Sequence, residues 1–285
     1  MKVEAKFYEK LNGNRIHCCL CPHNCIINEN NFGKCKVRTN ENGKLFTINY
    51  GEITSIALDP IEKKPLYYFK PSTYILSAGS FGCNFTCSFC QNYSISQFRA
   101  RSQFLSPKQL VEAILTVKNN IGIAFTYNEP SIWYEYVYDC AKLLKETEQS
   151  SSVVLVTNGY INEEPLKKLI PYVDAMNIDL KGFSSKYYND ICGGSLNPVL
   201  NTIRIASKIC HVEITNLLVT GENDNIDEVE SIARFLSSID KNIPLHLTRY
   251  FPQYKASKPP TDIKFMLDAR ETAEKYLNRV RLGNI

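Results

Sequence analysis

An α/β barrel of parallel βα units, preceded by a small cysteine-rich module, is the fold this sequence predicts, and three observations carry the prediction. Short apolar runs alternate with helical stretches from residue 73 onward, at the spacing of βα units. The 285 residues, 44% of them hydrophobic, supply one core of the size of a single α/β barrel. Eight of the eleven cysteines fall in two tight groups: Cys18, Cys19, Cys21, Cys25 and Cys35 ahead of the barrel, then Cys83, Cys87 and Cys90 within it. The expected division is a module with its linking segment over residues 1–72 and the barrel over residues 73–285.

The strand-like runs, in order, are TYILSAGS (73–80), IGIAFTY (121–127), SVVLVTN (152–158), DAMNIDLK (174–181), HVEITNLLV (211–219), IPLHLTRYF (243–251) and RVRLGN (279–284). Helix starts are signalled between them by Ser106-Pro107, Glu129-Pro130, Asn197-Pro198 and Asp224-Asn225. No internal repeat or low-complexity segment is visible.

Charge excludes little but directs expectation. Lys+Arg number 33 against 29 Asp+Glu, a formal +4, and both signs are interspersed. Runs of like charge that mark nucleic-acid arms are absent, so no nucleic-acid partner is expected. No stretch approaches the ~18 consecutive apolar residues of a membrane span. The start, MKVEAKFYEKLNG, lacks the apolar core of a signal peptide. A cytoplasmic protein without a membrane partner is therefore expected. In a reducing cytosol, clustered thiols read as metal or iron–sulfur ligands. The scattered Cys140, Cys192 and Cys210 read as small buried hydrophobes.

Several strands carry polar residues at every second position. Asn177, Asp179 and Lys181 share one face of their run, and His246 and Thr248 oppose Leu245 and Leu247. Parallel strands covered on both faces are almost continuously hydrophobic. Polar inner positions near the C-terminal strand ends, where α/β barrels place their chemistry, predict a lumen that holds a ligand. Satisfied pairs inside a packed barrel are the other reading.

The sharpest motif is Cys83-Asn-Phe-Thr-Cys87-Ser-Phe-Cys90, a C-x3-C-x2-C loop directly after the first barrel strand. Three thiolates hold three corners of a cubane [4Fe-4S] cluster, and no fourth cysteine follows nearby. One iron is then open to chelate a small molecule and deliver an electron to it. A zinc knuckle fits poorly, because zinc sites come as paired C-x2-C units. Upstream, Cys18, Cys21 and Cys25 form C-x2-C-x3-C, with Cys35 ten residues on. Four thiolates close either a second [4Fe-4S] cluster or a zinc site, and both remain open; Cys19 and His23 are spare candidates. The linking segment is proline-bearing and moderately apolar, so the module is expected to pack on the barrel near its mouth.

On its cysteine loop and α/β pattern the chain resembles the radical S-adenosylmethionine (SAM) superfamily. The resemblance implies a partial (β/α)6 TIM-like barrel in which Cys83, Cys87 and Cys90 hold the catalytic cluster. It places Phe89 near the adenine. Glu129, in Tyr127-Asn128-Glu129-Pro130, would meet the methionyl ammonium where relatives often carry a Gly-Gly-Glu-type segment. Thr157-Asn158-Gly159 and Asp179-Leu180-Lys181 resemble segments of glycyl-radical activating enzymes, whose Asp-Leu-Lys reaches the SAM carboxylate and ribose. A lysine suits a carboxylate as a compact cationic donor. Thr157, Asn158, Asp179, Lys181 and, from its polar strand face, His246 complete the expected cofactor-binding set. Asp59-Pro-Ile-Glu-Lys-Lys-Pro-Leu66, Cys90-Gln-Asn92, Ile95-Ser-Gln97, Asn177-Ile-Asp-Leu-Lys181, Pro259-Pro-Thr261 and Leu282-Gly-Asn-Ile285 resemble the AmmeMemoRadiSam-system radical SAM enzymes, homologues of pyruvate formate-lyase activating enzyme. No cysteine lies between Cys90 and Cys140, unlike activases that insert further clusters there.

The implied activity is reductive cleavage of SAM to methionine and a 5′-deoxyadenosyl radical, which takes a hydrogen atom from a protein glycyl residue or a smaller substrate. A low-potential donor of flavodoxin or ferredoxin type would supply the electron. The rival from another class is a non-catalytic zinc or iron–sulfur scaffold that binds a protein partner. Methyl transfer, yielding S-adenosylhomocysteine, is the third reading.

Overall fold

One eight-stranded sheet organises the computed structural model, which describes residues 1–285. Its strands are β1 (Ser55–Pro60), β2 (Tyr74–Gly79), β3 (Asn120–Phe125), β4 (Ser152–Thr157), β5 (Ala175–Asp179), β6 (His211–Leu218), β7 (Leu245–Arg249) and β8 (Val280–Gly283). They lie side by side in chain order, and β2 to β8 are all parallel. Each parallel step needs a crossover. Six helices supply them: α1 (Pro107–Thr116), α2 (Tyr134–Thr147), α3 (Glu163–Leu169), α4 (Leu196–Ala206), α5 (Ile226–Ser237) and α6 (Ile263–Glu274). The end strands β1 and β8 do not pair, so the barrel stays open along one seam.

Local chemistry explains the helix starts. Ser106 and Gln109 form a reciprocal capping box with Pro107 at the first helical position, and the side chains of Asn225 and Asp262 accept from Glu228 and Phe265 amides. The helix expected from Asn197-Pro198 begins earlier, at Leu196 with Ser195 as its cap. Pro198 then sits inside the first turn, where a missing N–H costs nothing because those amides lack helical partners anyway.

Two small antiparallel sheets build the N-terminal module. Val3–Glu4, Lys44–Thr47 and Arg38–Glu41 make one, and Tyr8–Lys10, Ile16–Cys18 and Ile26–Ile27 the other. Module residues Ile16, Leu20, Ile27 and Leu45 belong to the same buried core as Phe125, Trp133, Ile178 and Leu247 of the barrel. Residues 55–60, expected in the segment linking module to barrel, instead form β1, hydrogen-bonded antiparallel to β2. The barrel sheet thus begins before the expected boundary at residue 72. The physical reason is pairing: β1 satisfies the backbone groups of β2 on the side that β3 leaves free, and its Pro60 falls at the strand's end.

The chain after β1 folds back into the barrel and floors it. Amides of Tyr67 and Tyr68 donate to the buried Glu213 carboxylate on β6, at 3.0 and 2.7 Å, and Asn177 on β5 donates to the Pro65 carbonyl at 3.0 Å. Part of the polar inner face is therefore satisfied internally, as the packed-barrel reading has it. No helix is long and apolar enough to cross a membrane.

Candidate functional site

At the C-terminal strand ends the residues from 80 to 97 fold into a loop clamped from several sides. Asn128 accepts from the Ser80 amide at 2.9 Å and donates to the Gly82 carbonyl at 3.2 Å. Asn84 donates to the Tyr160 carbonyl and accepts from Asn158, both at 2.8 Å. Gln97 donates to the Phe85 carbonyl at 3.0 Å. The Thr86 amide donates to the Cys192 carbonyl at 2.8 Å. Beside it, a Cβ on Gly194 would stand 2.2 Å from the Phe85 ring, so only glycine lets that segment press against the loop.

Cys83, Cys87 and Cys90 line one cavity of about 280 Å³, and Phe89, Glu129, Thr157, Asn158, Asp179 and Lys181 line it with them. The structure thus brings together every expected site residue of the barrel except His246. Burial and the nearby Glu129 carboxylate push the Cys83 thiol well up, and burial raises Cys90. A hydrogen bond with the buried Cys192 thiol lowers Cys87. Three convergent sulfurs, two of them too costly to ionise alone, form a donor set that suits a soft, positively charged group such as an iron–sulfur cluster. Ser96 Oγ lies 3.2 Å from Cys90 Sγ, and Asn158 Nδ2 lies 3.7 Å from Cys83 Sγ.

Glu129 caps the short helical turn before α2 and is almost fully buried. It accepts from the Ser131 amide at 2.9 Å, Thr157 Oγ1 at 2.6 Å and the Asn158 amide at 2.8 Å. Burial raises its pKa despite these donors. One carboxylate therefore ties the end of β4 to the loop after β3. Lys181 Nζ sits 2.7 Å from Asp179 Oδ2. Burial opposes its charge, but Asp179 and the Cys87 sulfur hold its pKa above the ordinary value. Phe89 is buried and stacked on Tyr187, centroids 6.4 Å apart.

His246 lines a neighbouring cavity instead, and its Nε2 meets Glu213 at 2.7 Å. Sequence reasoning put it with the cofactor contacts because it shares the inner face of β7 with Thr248; it lies two residues nearer the floor. Asn84, Asn128 and Cys192 were missed as supports of the cysteine loop. Nothing local marks Cys192, whose contact with Cys87 spans 105 positions of chain.

Cys18, Cys21, Cys25 and Cys35 converge on one small enclosed cavity, and all but Cys25 are buried. Burial pushes Cys21 up to about 12 and Cys35 to about 11. Arg38 Nη1 lies 3.8 Å from Cys18 Sγ. His23 is also on the cavity wall, but its Nε2 is engaged with the Asn84 carbonyl at 2.7 Å, which ties the module to the barrel's cysteine loop. A Cβ on Gly82 would meet Val37 at 2.5 Å and the Cys35 carbonyl at 3.0 Å, so the two cysteine sites abut. Cys19 stands apart with His17 and Glu9, their donor atoms within 4.8 Å of one another.

Residues 79–236 match the family model of the radical SAM superfamily. An uncharacterized protein of Methanocaldococcus jannaschii is 44% identical over 289 residues, covering 99% of this chain and 85% of that one. A second protein of that organism, provisionally named a glycyl-radical enzyme activating enzyme, is 32% identical across 70% of this chain and 77% of its own. The pyruvate formate-lyase-activating enzyme of Clostridium pasteurianum is 24% identical across 70% of this chain and 88% of its own. Among solved structures, a radical SAM methyltransferase from Sphaerobacter thermophilus shares the fold with a TM-score of 0.58 at 15% identity, over 75% of this chain and 67% of that one.

Proposed function

This chain belongs to the radical SAM superfamily, and from that premise we propose that it cleaves SAM reductively and uses the resulting radical to take a hydrogen atom from a substrate. The observation that carries the reading is the single cavity walled by Cys83, Cys87, Cys90, Glu129, Asp179 and Lys181. A [4Fe-4S] cluster held there by the three cysteines would supply one electron to bound SAM, giving methionine and a 5′-deoxyadenosyl radical. The chain's own side chains orient the cofactor. Glu129 spends three acceptor positions on protein donors, and a carboxylate has about four, leaving one for the SAM ammonium. Lys181, steered by Asp179, supplies a cation for the SAM carboxylate. Thr157 and Asn158 are held in place by Glu129, and Phe89 offers its stacked pair with Tyr187 to the adenine.

Anaerobic incubation with SAM and a low-potential flavodoxin, ferredoxin or dithionite tests the proposal. Methionine and 5′-deoxyadenosine in equal amounts support it. S-adenosylhomocysteine would establish methyl transfer, and no product at all would leave the scaffold reading. Glu129→Gln is expected to weaken SAM binding by about ten- to a hundredfold, the loss of one charge-assisted hydrogen bond, with the iron content of the barrel site retained. Unchanged SAM affinity in that variant would remove Glu129 from the binding set.

At the module we propose a second [4Fe-4S] cluster on Cys18, Cys21, Cys25 and Cys35. Four sulfurs line one cavity of about 10 Å³ and would serve zinc as well as a cluster; what favours the cluster is the site's contact with the barrel's cysteine loop through Gly82 and His23, which puts a redox group beside the reacting site. Anaerobically reconstituted protein is expected to carry roughly eight irons per chain, two cubanes, and the Cys18→Ala/Cys21→Ala protein about half. Four irons with one zinc would establish structural zinc in place of the cluster.

A further inference from the structure

We propose that the chamber between the cysteine cavity and the barrel floor binds the hydrogen-atom donor, and that this donor is a small organic anion rather than a protein segment. The proposal rests on the radical SAM reading above. The chamber measures about 600 Å³, within the range of small-molecule sites, and opens at the seam between β1 and β8. Gln91, Tyr127, Thr248 and Asn284 wall both it and the cysteine cavity, so the two spaces adjoin.

Its chemistry specifies the ligand at two ends. On the β1 side, Asp59 accepts from Lys63 at 3.3 Å, Lys64 at 2.9 Å and Tyr127 at 2.8 Å. Two ammonium groups thus share one carboxylate whose acceptor positions are largely taken, and each ammonium has three donors to place. Glu62, the other acid on this rim, is turned to the Ser72 amide. A ligand carboxylate or phosphate would complete the pairing of Lys63 and Lys64. Lys64 is buried, so a charge placed there is poorly screened.

At the floor, Glu213 accepts from the Tyr67 and Tyr68 amides, from His211 at 2.9 Å and from His246 at 2.7 Å. Burial works against its charge, but these donors hold its pKa down at about 2. An ionised carboxylate only accepts, so His246 Nε2 carries the proton. The other ring nitrogen, Nδ1, is buried and has no partner in the protein, a costly state that a ligand hydroxyl, able to donate or accept, would relieve. A glycyl stretch of backbone offers N–H and C=O groups, but its neutral carbonyls leave the charge of the two lysines unpaired.

The test uses full-length, anaerobically reconstituted protein with three host fractions: the proteins above 1 kDa, and the metabolites below 1 kDa divided by anion exchange into retained and unretained pools. Two measurements are made: 5′-deoxyadenosine formed with each fraction, and species bound in equilibrium dialysis without reductant, identified by mass spectrometry. The retained fraction alone is expected to raise 5′-deoxyadenosine and to leave a bound anion. Lys63→Met, at a mostly exposed position that cannot collapse the fold, is expected to bind that anion about two- to fivefold more weakly, and His246→Gln, which keeps an N–H for Glu213 but has no counterpart of Nδ1, about tenfold more weakly. Stimulation only by host proteins above the cut-off, only by the unretained fraction or by nothing overturns the proposal, as does undiminished binding in both variants. Failure of the underlying reading looks different: no 5′-deoxyadenosine from the unmodified protein under any condition.

Discussion

Cys83→Ala protein is expected to form no 5′-deoxyadenosine above the background of a protein-free mixture, and to lose the electron paramagnetic resonance signal that changes on SAM addition. Two thiolates leave one more iron of the cubane without a protein ligand, and the chemistry of the reaction belongs to the cofactor they hold. Cys90→Ala should behave the same way. Cys87→Ala is the less clean variant, because the thiol of Cys192 already hydrogen-bonds Cys87 and stands next to the vacated position. The informative comparison is therefore Cys87→Ala against Cys87→Ala/Cys192→Ala. Product from the first and none from the second would mean that Cys192 substitutes as a ligand. Product from Cys83→Ala would end the assignment of the barrel site.

What the sequence showed was what is local in the chain. The C-x3-C-x2-C loop places three sulfurs within eight residues, so no tertiary knowledge is needed to see a shared ligand. The seven parallel strands were legible because each is a short apolar run between helix-start signals, and all seven occur within a few residues of where they were read. Their inner polar positions were legible too, but not their division of labour. Asn177 holds the floor beside Glu213, a position the alternation had not singled out, while Asp179 and Lys181 wall the cysteine cavity. That difference depends on how deep each residue lies along the barrel axis, which period-2 alternation does not encode. His246 was misplaced for the same reason. β1 was unread as a barrel strand because an antiparallel edge strand with a terminal proline carries a weak signal. Cys192 and the Tyr67–Glu213 contact join residues more than a hundred positions apart, and no local pattern announces them.

The interface between module and barrel yields the largest expected loss of stability. Arg38, on a module strand, is fully buried and pairs with Glu135 on α2, which is buried as well. The same carboxylate oxygen accepts from the Lys6 amide at 2.8 Å, and Arg38 also donates to the Lys6 carbonyl at 2.8 Å. Arg38 Nε and Glu135 Oε2 have no partner, so the pair is only partly compensated for its desolvation. Such an arrangement adds little over a hydrophobic replacement, yet breaking it on one side strands a charge. Glu135→Ala is accordingly expected to cost about 3 to 5 kcal/mol in urea unfolding, a large share of the ~5 to 15 kcal/mol typical of a domain. Replacing both partners, Arg38→Met with Glu135→Leu, should recover most of that loss, because no charge is left buried. A loss below about 1 kcal/mol in Glu135→Ala, the range of exposed pairs, would mean that the pair does not fasten the module. Because Arg38 also reaches Cys18, the single variant has a second expected readout: whichever metal the module's cysteines hold should fall with stability, while iron at Cys83, Cys87 and Cys90 is retained. Coupled loss would tie the docking of the module to the integrity of its cysteine site.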